Sequence, residues 1–549
     1  MTAPRTTPDH ETKGWPPGVP YIVGNEACER FSFYGMRAIL FVHLSALYVL
    51  AGEVQQRADD LATGDMHYFK ASVYLVPMLG AVLADRFLGK FKVIFWLSLV
   101  YCAGHAVLAV ADDTLMGMYL GLGLIAVGSG GIKPCVSANV GDQFGKNNWF
   151  RVRSIFQIFY FSINFGSFGA TLLIPTLKEY YGASVAFAIP GVLMFLATII
   201  FWLGRHKYVH VPAKPGGKLG LLDALSSSLL FISFAHFFVT AKVMNWPWYQ
   251  LLATSIVSLG AGLALFFYRQ SLKADDGFLA VMLWTIKRHL GGTDKDPAAH
   301  VYREQAEQNP DAGTMLTRSR FFKPAVERFG LEVVEGTVAV LKIVTIFFPM
   351  VPIFWSLFDQ HSSSWIRQSK MMDLELWQGF SLNPSQVPAL NPLMVMLLIP
   401  LMNLLYSALD EAGLKTTPLR RITVGMAIAS ASFVAVAIIQ ARIDAAAANT
   451  VSVWLQVAPY LLITIAEVMV SITGLEFAYT QAPRRMKSTV MGFWLLAVAT
   501  GNILTGLVAQ FGGLSLVNFF WLFAGLMGGA ALLFGVRALF YVARDFTQE

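Results

Sequence analysis

The sequence predicts an all-α membrane protein of two six-helix bundles with two further spans between them, fourteen in all, and three observations carry this. Charged residues make up 14% and hydrophobic residues 55% of the 549, with a mean hydropathy of +0.55; a soluble chain of this size carries roughly 25% charged residues. Apolar runs recur at about 20 residues, the length a helix needs to cross about 30 Å of hydrocarbon, whereas an outer-membrane barrel needs short alternating strands. One long polar interval separates the runs into two sets.

The first 20 residues, MTAPRTTPDHETKGWPPGVP, are polar and proline-rich and lack the basic, apolar and small-residue succession of a cleaved signal. Apolar segments follow near 21–46, 68–87, 91–112, 115–140, 153–176, 184–204, 221–242, 248–269, 337–359, 388–408, 419–440, 451–478, 488–510 and 516–541. An even number places both ends on one side. Basic residues fall in alternate loops: Arg86, Lys90 and Lys92; Lys146, Arg151 and Arg153; Arg205 and Lys207; Lys415, Arg420 and Arg421; Arg484, Arg485 and Lys487. The opposite loops hold Glu53, Asp59, Asp60 and Asp65, then Asp112 and Asp113. By the positive-inside bias both termini are expected in the cytoplasm.

The polar interval contains GGTDKDPAAHVYREQAEQNPDAG, short of large apolar residues, and reads as a linker. The expected organisation is a cytoplasmic tail (1–20), a first six-helix bundle (21–213), an inserted helix pair (214–270), a cytoplasmic linker (271–336), and a second six-helix bundle with a short cytoplasmic tail (337–549). Two six-helix sets are the plan of transporters with a midplane site. The net charge of +7 is dispersed at the ends of apolar runs, so it marks membrane flanks and not nucleic-acid binding. Cys28, Cys102 and Cys135 lie inside spans, have no zinc-like spacing and read as small apolar packers; no metal site is expected. The chain holds no G-x-S-x-G elbow, H-E-x-x-H helix or P-loop, so an enzyme or an ATP-driven pump is not expected.

Charge inside the spans is the functional signal, because ionisable groups at membrane depth usually face a polar path. In NEACERFSFYGMR, Glu26, Arg30, Tyr34 and Arg37 share one helix stripe, with Glu29 beside them. Mutual neutralisation of Glu26, Glu29 and Arg30 leaves Arg37 two turns from the nearest carboxylate. Lys133, in GSGGIKPCVSANVGDQF of span 4, falls at the depth of Glu26, Glu29 and Arg30, among small residues that permit close helix approach. Asp359 ends span 9 at the depth of Arg37, and Glu467 has apolar flanks on both sides. His67 opens span 2 at the outer level, where an imidazole beside a carboxylate titrates near physiological pH, although such a position also suits a solvated helix start.

EACERFSFYGMR resembles the ExxER-F-x-x-Y-G-M-R signature of proton-coupled oligopeptide transporters, a branch of the major facilitator superfamily. YLVPMLGAVLADRFLGKFK, GSGGIKP…GDQF, FYFSINFGSFGA, FWSLFDQ, LNPLMVMLLIP, EVMVSITGLEFAYTQAP and MGFWLLAVATGN follow in family order over nearly the whole chain, and the inserted pair resembles that of bacterial members. The resemblance implies the major facilitator fold, an inner-membrane location, function as a monomer, and import of di- and tripeptides with protons as the coupling ion and no other cofactor. An anion or drug carrier on the same fold is the alternative.

By the same resemblance Glu26, Glu29, Arg30, His67, Lys133 and Asp359 couple protons. Arg37, Tyr34, Tyr74, Lys133, Asn164, Asn391, Glu467 and Trp494 line the peptide site, with Glu467 meeting the amino terminus. Arg37 with Asp359, and Lys133 with Glu467, form gate salt bridges. Neutralising Asp359 is expected to weaken its pairing with Arg37 and bias the bundles toward inward opening. Phe33 replaces a tyrosine common in the signature, and DQHSSSW carries His361 where DQQGS is usual, which adds a second candidate proton handler.

Overall fold

The computed structural model describes residues 5–243, 246–273, 277–290, 319–481 and 486–541. Helices occupy all fourteen predicted spans. The first half contains α1 (Val19–Leu50), α2 (Gln55–Val82), α3 (Lys90–Val110), α4 (Leu115–Gly141) and α5 (Val152–Leu203). Helix α5 is two spans in one run, broken at Gly182, whose φ of 85° only glycine adopts cheaply. The inserted pair is α6 (Gly217–Val243) and α7 (Trp248–Leu272), followed by the short α8 (Phe278–His289) and α9 (Lys323–Phe329). The second half begins with α10 (Leu331–Phe347), α11 (Val351–Phe358) and α12 (Ser364–Ser369). It continues through α13 (Leu390–Glu411), α14 (Pro418–Ala445), α15 (Val457–Glu467), α16 (Thr473–Thr480), α17 (Lys487–Phe511) and α18 (Leu516–Leu539).

Among the described residues, eleven helices are each long and apolar enough to cross a membrane, and 331–347 with 351–369 passes as one span bent by 47°. The bend follows from Pro349 and Pro352, which remove two backbone donors at the joint. The eleven count α5 once and omit α6, which packs along α7 and is tied to it by Asp223 and Arg269 at 2.5 Å. Between α12 and α13, Glu375–Trp377 and Phe380–Ser381 form a small antiparallel hairpin.

Two hydrophobic cores match the two sets of spans: one contains Ile22, Met36, Tyr101 and Phe187, the other Phe354, Trp365, Phe433 and Phe523. Ile366 of the second half is buried in the first core. The small residues of α4 act as expected, since a Cβ on Gly80 of α2 would stand 2.5 Å from the Gly131 Cα. The three cysteines are free.

Span 2 departs most from the sequence expectation. Helix α2 starts at Gln55 and not near 68, so Asp59, Asp60 and Asp65 are helical and not in a loop. They are tolerated there because each has partners: Arg367 and Lys370 for Asp59, Arg367 for Asp60, and the Tyr48, Tyr119 and Gln510 side chains for Asp65. His67 is therefore mid-helix and fully buried, not a solvated helix start. The proline-rich leader is docked: the Asn148 side chain donates to Gly14 O at 3.1 Å, and the Trp15 ring meets Phe144 edge-on at 6.2 Å. Residues 274–276 and 291–318 of the expected linker, and Arg484 and Arg485, lie outside the described residues.

Candidate functional site

Helix α1 turns its charged stripe toward α4. Arg30 Nε lies 2.7 Å from Glu26 Oε1 and 3.3 Å from Glu29 Oε2, and the Ser129 hydroxyl of α4 donates to Glu29 at 3.4 Å. Both carboxylates are buried, so one guanidinium faces two anions and a second cation is needed for balance. Lys133 is within electrostatic reach of both. Among the described residues it forms no ion pair within 4.0 Å; its ammonium stands 4.1 Å from the Phe33 ring centroid and 5.4 Å from that of Tyr74. The phenylalanine that departs from the signature is thus the face that holds Lys133, by cation–π attraction.

Arg37 sits over the Tyr34 ring, 4.7 Å from its centroid. From the second half, Glu467 Oε2 accepts from Asn391 Nδ2 at 2.9 Å, and Asn391 also donates to Thr464 Oγ1 at 3.1 Å. Glu467 ends α15 just before a π-helical turn, Val468–Ile472, which advances the side chains that follow relative to an α-helix. Tyr34, Tyr160 and Arg37 of the first half all lie within electrostatic reach of Glu467. Tyr34, Arg37, Tyr74, Lys133 and Glu467 all keep partial exposure at mid-span.

Two pairings expected from the resemblance are absent. Asp359 is not ion-paired with Arg37: its carboxylate is held by Lys70 Nζ at 3.2 Å and by Asn502 Nδ2 at 2.7 Å. Lys70 lies on α2 directly opposite the end of α11 and already satisfies that charge, while Arg37 keeps its aromatic partner. Lys133 is likewise not paired with Glu467, because Lys133 is drawn to the α1 side and Glu467 to Asn391. Asn164 does not reach Glu467 either; its Nδ2 donates to Tyr160 O, one turn back, at 2.9 Å. Trp494 is mostly buried in the second core, edge-on to Phe347 at 6.1 Å.

His67 bridges the halves. Its Nδ1 is 2.8 Å from Asn502 Oδ1 and its Nε2 is 2.9 Å from Ser363 Oγ. Asn502 gives its amide to Asp359, so its carbonyl oxygen faces His67 and the Nδ1–H tautomer fits the network. A chain His67–Asn502–Asp359 results. His361 turns away from that chain: its Nδ1 is 2.6 Å from Phe358 O, and its ring lies against Phe358 and Tyr460.

Lys70 and Asn502 escaped the sequence reading. Lys70 carried a signal, being an ionisable residue inside an apolar run, three after His67 and four before Tyr74, on the same helical stripe. Asn502 had only its place at the end of MGFWLLAVATGN. Further out, Arg367 Nη1 lies 2.7 Å from Asp60, Lys370 Nζ 3.2 Å from Asp59, and Gln510 Nε2 3.0 Å from Asp65. These cross-half contacts gather at the predicted outer end.

Known proteins share this fold. The crystal structure of the POT family transporter PepTSo superposes with a TM-score of 0.75 at 37% identity, covering 96% of this chain and 99% of that one. An auto inhibited POT family peptide transporter superposes at 0.74 with 36% identity, covering 97% and 99%. Among curated relatives, rabbit (Oryctolagus cuniculus) solute carrier family 15 member 1 is 31% identical over 457 residues, 78% of this chain and 53% of that protein. Peptide transporter family 1 of Drosophila melanogaster is 32% identical over 448 residues, covering 79% and 49%. The chain thus spans about half the length of the curated relatives it matches. The POT family profile matches residues 91–262 and 276–515, and on that match this multi-pass, major-facilitator-type membrane protein belongs to the POT family.

Proposed function

We propose that the chain is a symporter that imports di- and tripeptides with protons by alternating access, as a monomer in the cell inner membrane with both termini cytoplasmic. The observation that carries this is charge placement across the two halves: Arg37 and Lys133 project from the first, Glu467 from the second, each is partly exposed, and Arg37 lies within electrostatic reach of both others. A short peptide is a zwitterion, and side-chain tolerance requires that its termini be the parts recognised. Glu467, fixed by Asn391, takes the ammonium end; Arg37 and Lys133 take the carboxylate end, with Tyr34 and Tyr74 along the backbone. Asn164 and Trp494 support the walls of the site.

The division that goes with this reading is bundles at 21–213 and 337–549, an inserted pair at 214–270 and a linker at 271–336. It is supported by the two separate cores. Asp359 is the outer proton site, and Glu26, Glu29, Arg30 and Lys133 form the inner relay. The direction of the switch differs from the sequence expectation. Asp359 ties the outer ends of the halves together, so neutralising it loosens that end and favours outward opening; loss of the proton toward the inside re-forms the tie and closes it. A potential of about 100 mV, negative inside, adds roughly 2.3 kcal/mol per charge moved. The test is uptake of labelled dialanine into vesicles containing the purified chain under an imposed proton gradient. Acid outside should drive accumulation, and absence of any acid stimulation would reject the proposal.

A further inference from the structure

We propose that Lys70 is the resident counter-cation of the outer gate: it neutralises Asp359 when the outer end is closed, makes closure conditional on loss of the Asp359 proton, and so leaves Arg37 free for substrate. The inference rests on the reading of Asp359 as the outer proton site.

Lys70 is 2% exposed, and its ammonium makes three contacts, all to the second half: the Asp359 carboxylate at 3.2 Å, the Asp359 backbone oxygen at 2.6 Å and the Ser362 hydroxyl at 2.7 Å. An ammonium has three protons, so all its donors are used by one turn of the other half. That geometry is a clasp, since any separation of α2 from the end of α11 breaks all three contacts together. Keeping a charge at this depth requires such compensation.

The other charged and titratable groups facing Asp359 do not duplicate the role. His67, on α2, acts through Asn502; Tyr74, one turn beyond Lys70, is within electrostatic reach. Arg37 of α1 also acts on Asp359 electrostatically but keeps its place over Tyr34. His361 on the same turn and Glu467 of α15 complete the set. Of these, only Lys70 is ion-paired to the carboxylate within 4.0 Å among the described residues. With Asp359 protonated, the ion pair of the clasp is lost and the outer end can part. With the proton passed inward, the pair re-forms and holds the outer end shut while the inner end releases peptide.

The test uses the full chain in proteoliposomes at an inside pH of 7.5, with outside pH stepped from 5.0 to 8.5. Driven dialanine uptake and counterflow at equal pH are both read. Removing the cation in Lys70→Met should move half-activation of uptake upward by about one pH unit or more, because a carboxylate without its counter-cation takes a proton more readily. Accumulation should fall several-fold while counterflow survives. Lys70→Arg, which keeps the charge, should retain the original midpoint. Should Lys70→Met fail to assemble, Lys70→Gln is read in the same way. A Lys70→Met or Lys70→Gln protein that exchanges peptide and keeps both midpoint and accumulation would overturn the inference, as would Lys70→Arg shifting as far as Lys70→Met. Asp359→Asn separates the two claims: if it keeps the original acid activation, the proton-site reading fails, whereas a flat profile there with an unmoved Lys70→Met midpoint fails Lys70 alone.

Discussion

Arg367 of α12 places Nη1 2.7 Å from the Asp60 carboxylate of α2, and its Nε lies 3.5 Å from Asp59, so one guanidinium holds two acids across the two halves. Lys370, one turn later, adds a third contact. The groups are partly buried, so the latch is worth more than an exposed pair and less than a fully desolvated one, about 1–2 kcal/mol. Asp60→Asn is expected to shift the closed-to-open ratio of the outer end by roughly 5- to 30-fold. Labelling of a single cysteine placed in the outer part of α2, with membrane-impermeant reagent, measures this. Unchanged labelling would show that the clasp at Lys70 suffices without the latch.

Glu467 is oriented by a single amide, that of Asn391 at 2.9 Å. Glu467→Gln retains the shape and loses the charge, so affinity for ordinary dipeptides should fall by about tenfold or more, the scale of one charge-assisted hydrogen bond. Analogues with a blocked amino terminus should lose much less. Asn391→Ala should give a smaller version of the same pattern, because the carboxylate remains but its direction is no longer fixed. Competition of unlabelled peptides against labelled dialanine measures both, and equal losses for blocked and free peptides would remove the amine from Glu467.

Lys133 is the cation that completes the charge balance of Glu26, Glu29 and Arg30, although no carboxylate lies within 4.0 Å of it among the described residues. Lys133→Ala is expected to abolish gradient-driven uptake, since two buried acids then share one guanidinium. Phe33→Leu removes the ring face and not the charge. It should weaken uptake only a few-fold, the size of a cation–π contact of about 1 kcal/mol. Gradient-driven uptake by detergent-stable variants is the measurement, and full retention of driven transport in Lys133→Ala would reject the role.

Much of this was legible in the sequence because membrane burial makes charge rare. Span lengths follow from bilayer thickness, and several ionisable residues within spans stood out for that reason, although Lys70 did not. Glu26, Glu29, Arg30, Lys133 and Glu467 were found on this ground. What was not legible was pairing. A sequence gives the depth of a charge along its helix but not which neighbouring helix faces it, and Arg37 and Lys70 are equally plausible partners for Asp359 by depth. The start of α2 was missed for a related reason. Asp59, Asp60 and Asp65 read as loop because the cations that pair with Asp59 and Asp60, Arg367 and Lys370, and one partner of Asp65, Gln510, come from the other half of the chain, and such pairings leave no local trace.

His67 donates through Nδ1 to Asn502, which donates in turn to Asp359, so the histidine acts on the carboxylate through an amide and not by direct contact. Two roles fit that geometry and differ in what a substitution does. If His67 passes or holds protons, His67→Ala should cut driven uptake, shift its pH dependence and spare part of the counterflow at equal pH, which needs no net proton movement. If His67 only orients Asn502, His67→Ala should lower uptake at every pH without moving the midpoint, and Asn502→Ala should match it. Asp359→Asn mimics the protonated acid and should impair driven uptake more than exchange. Because all three residues form one chain, the double variant His67→Ala with Asp359→Asn should be little worse than the worse single one. Driven uptake and counterflow from pH 5.5 to 8 for both singles and the double decide the matter. Additive losses would break the chain into independent parts, and His361, buried two residues after Asp359, would then be the next histidine to replace.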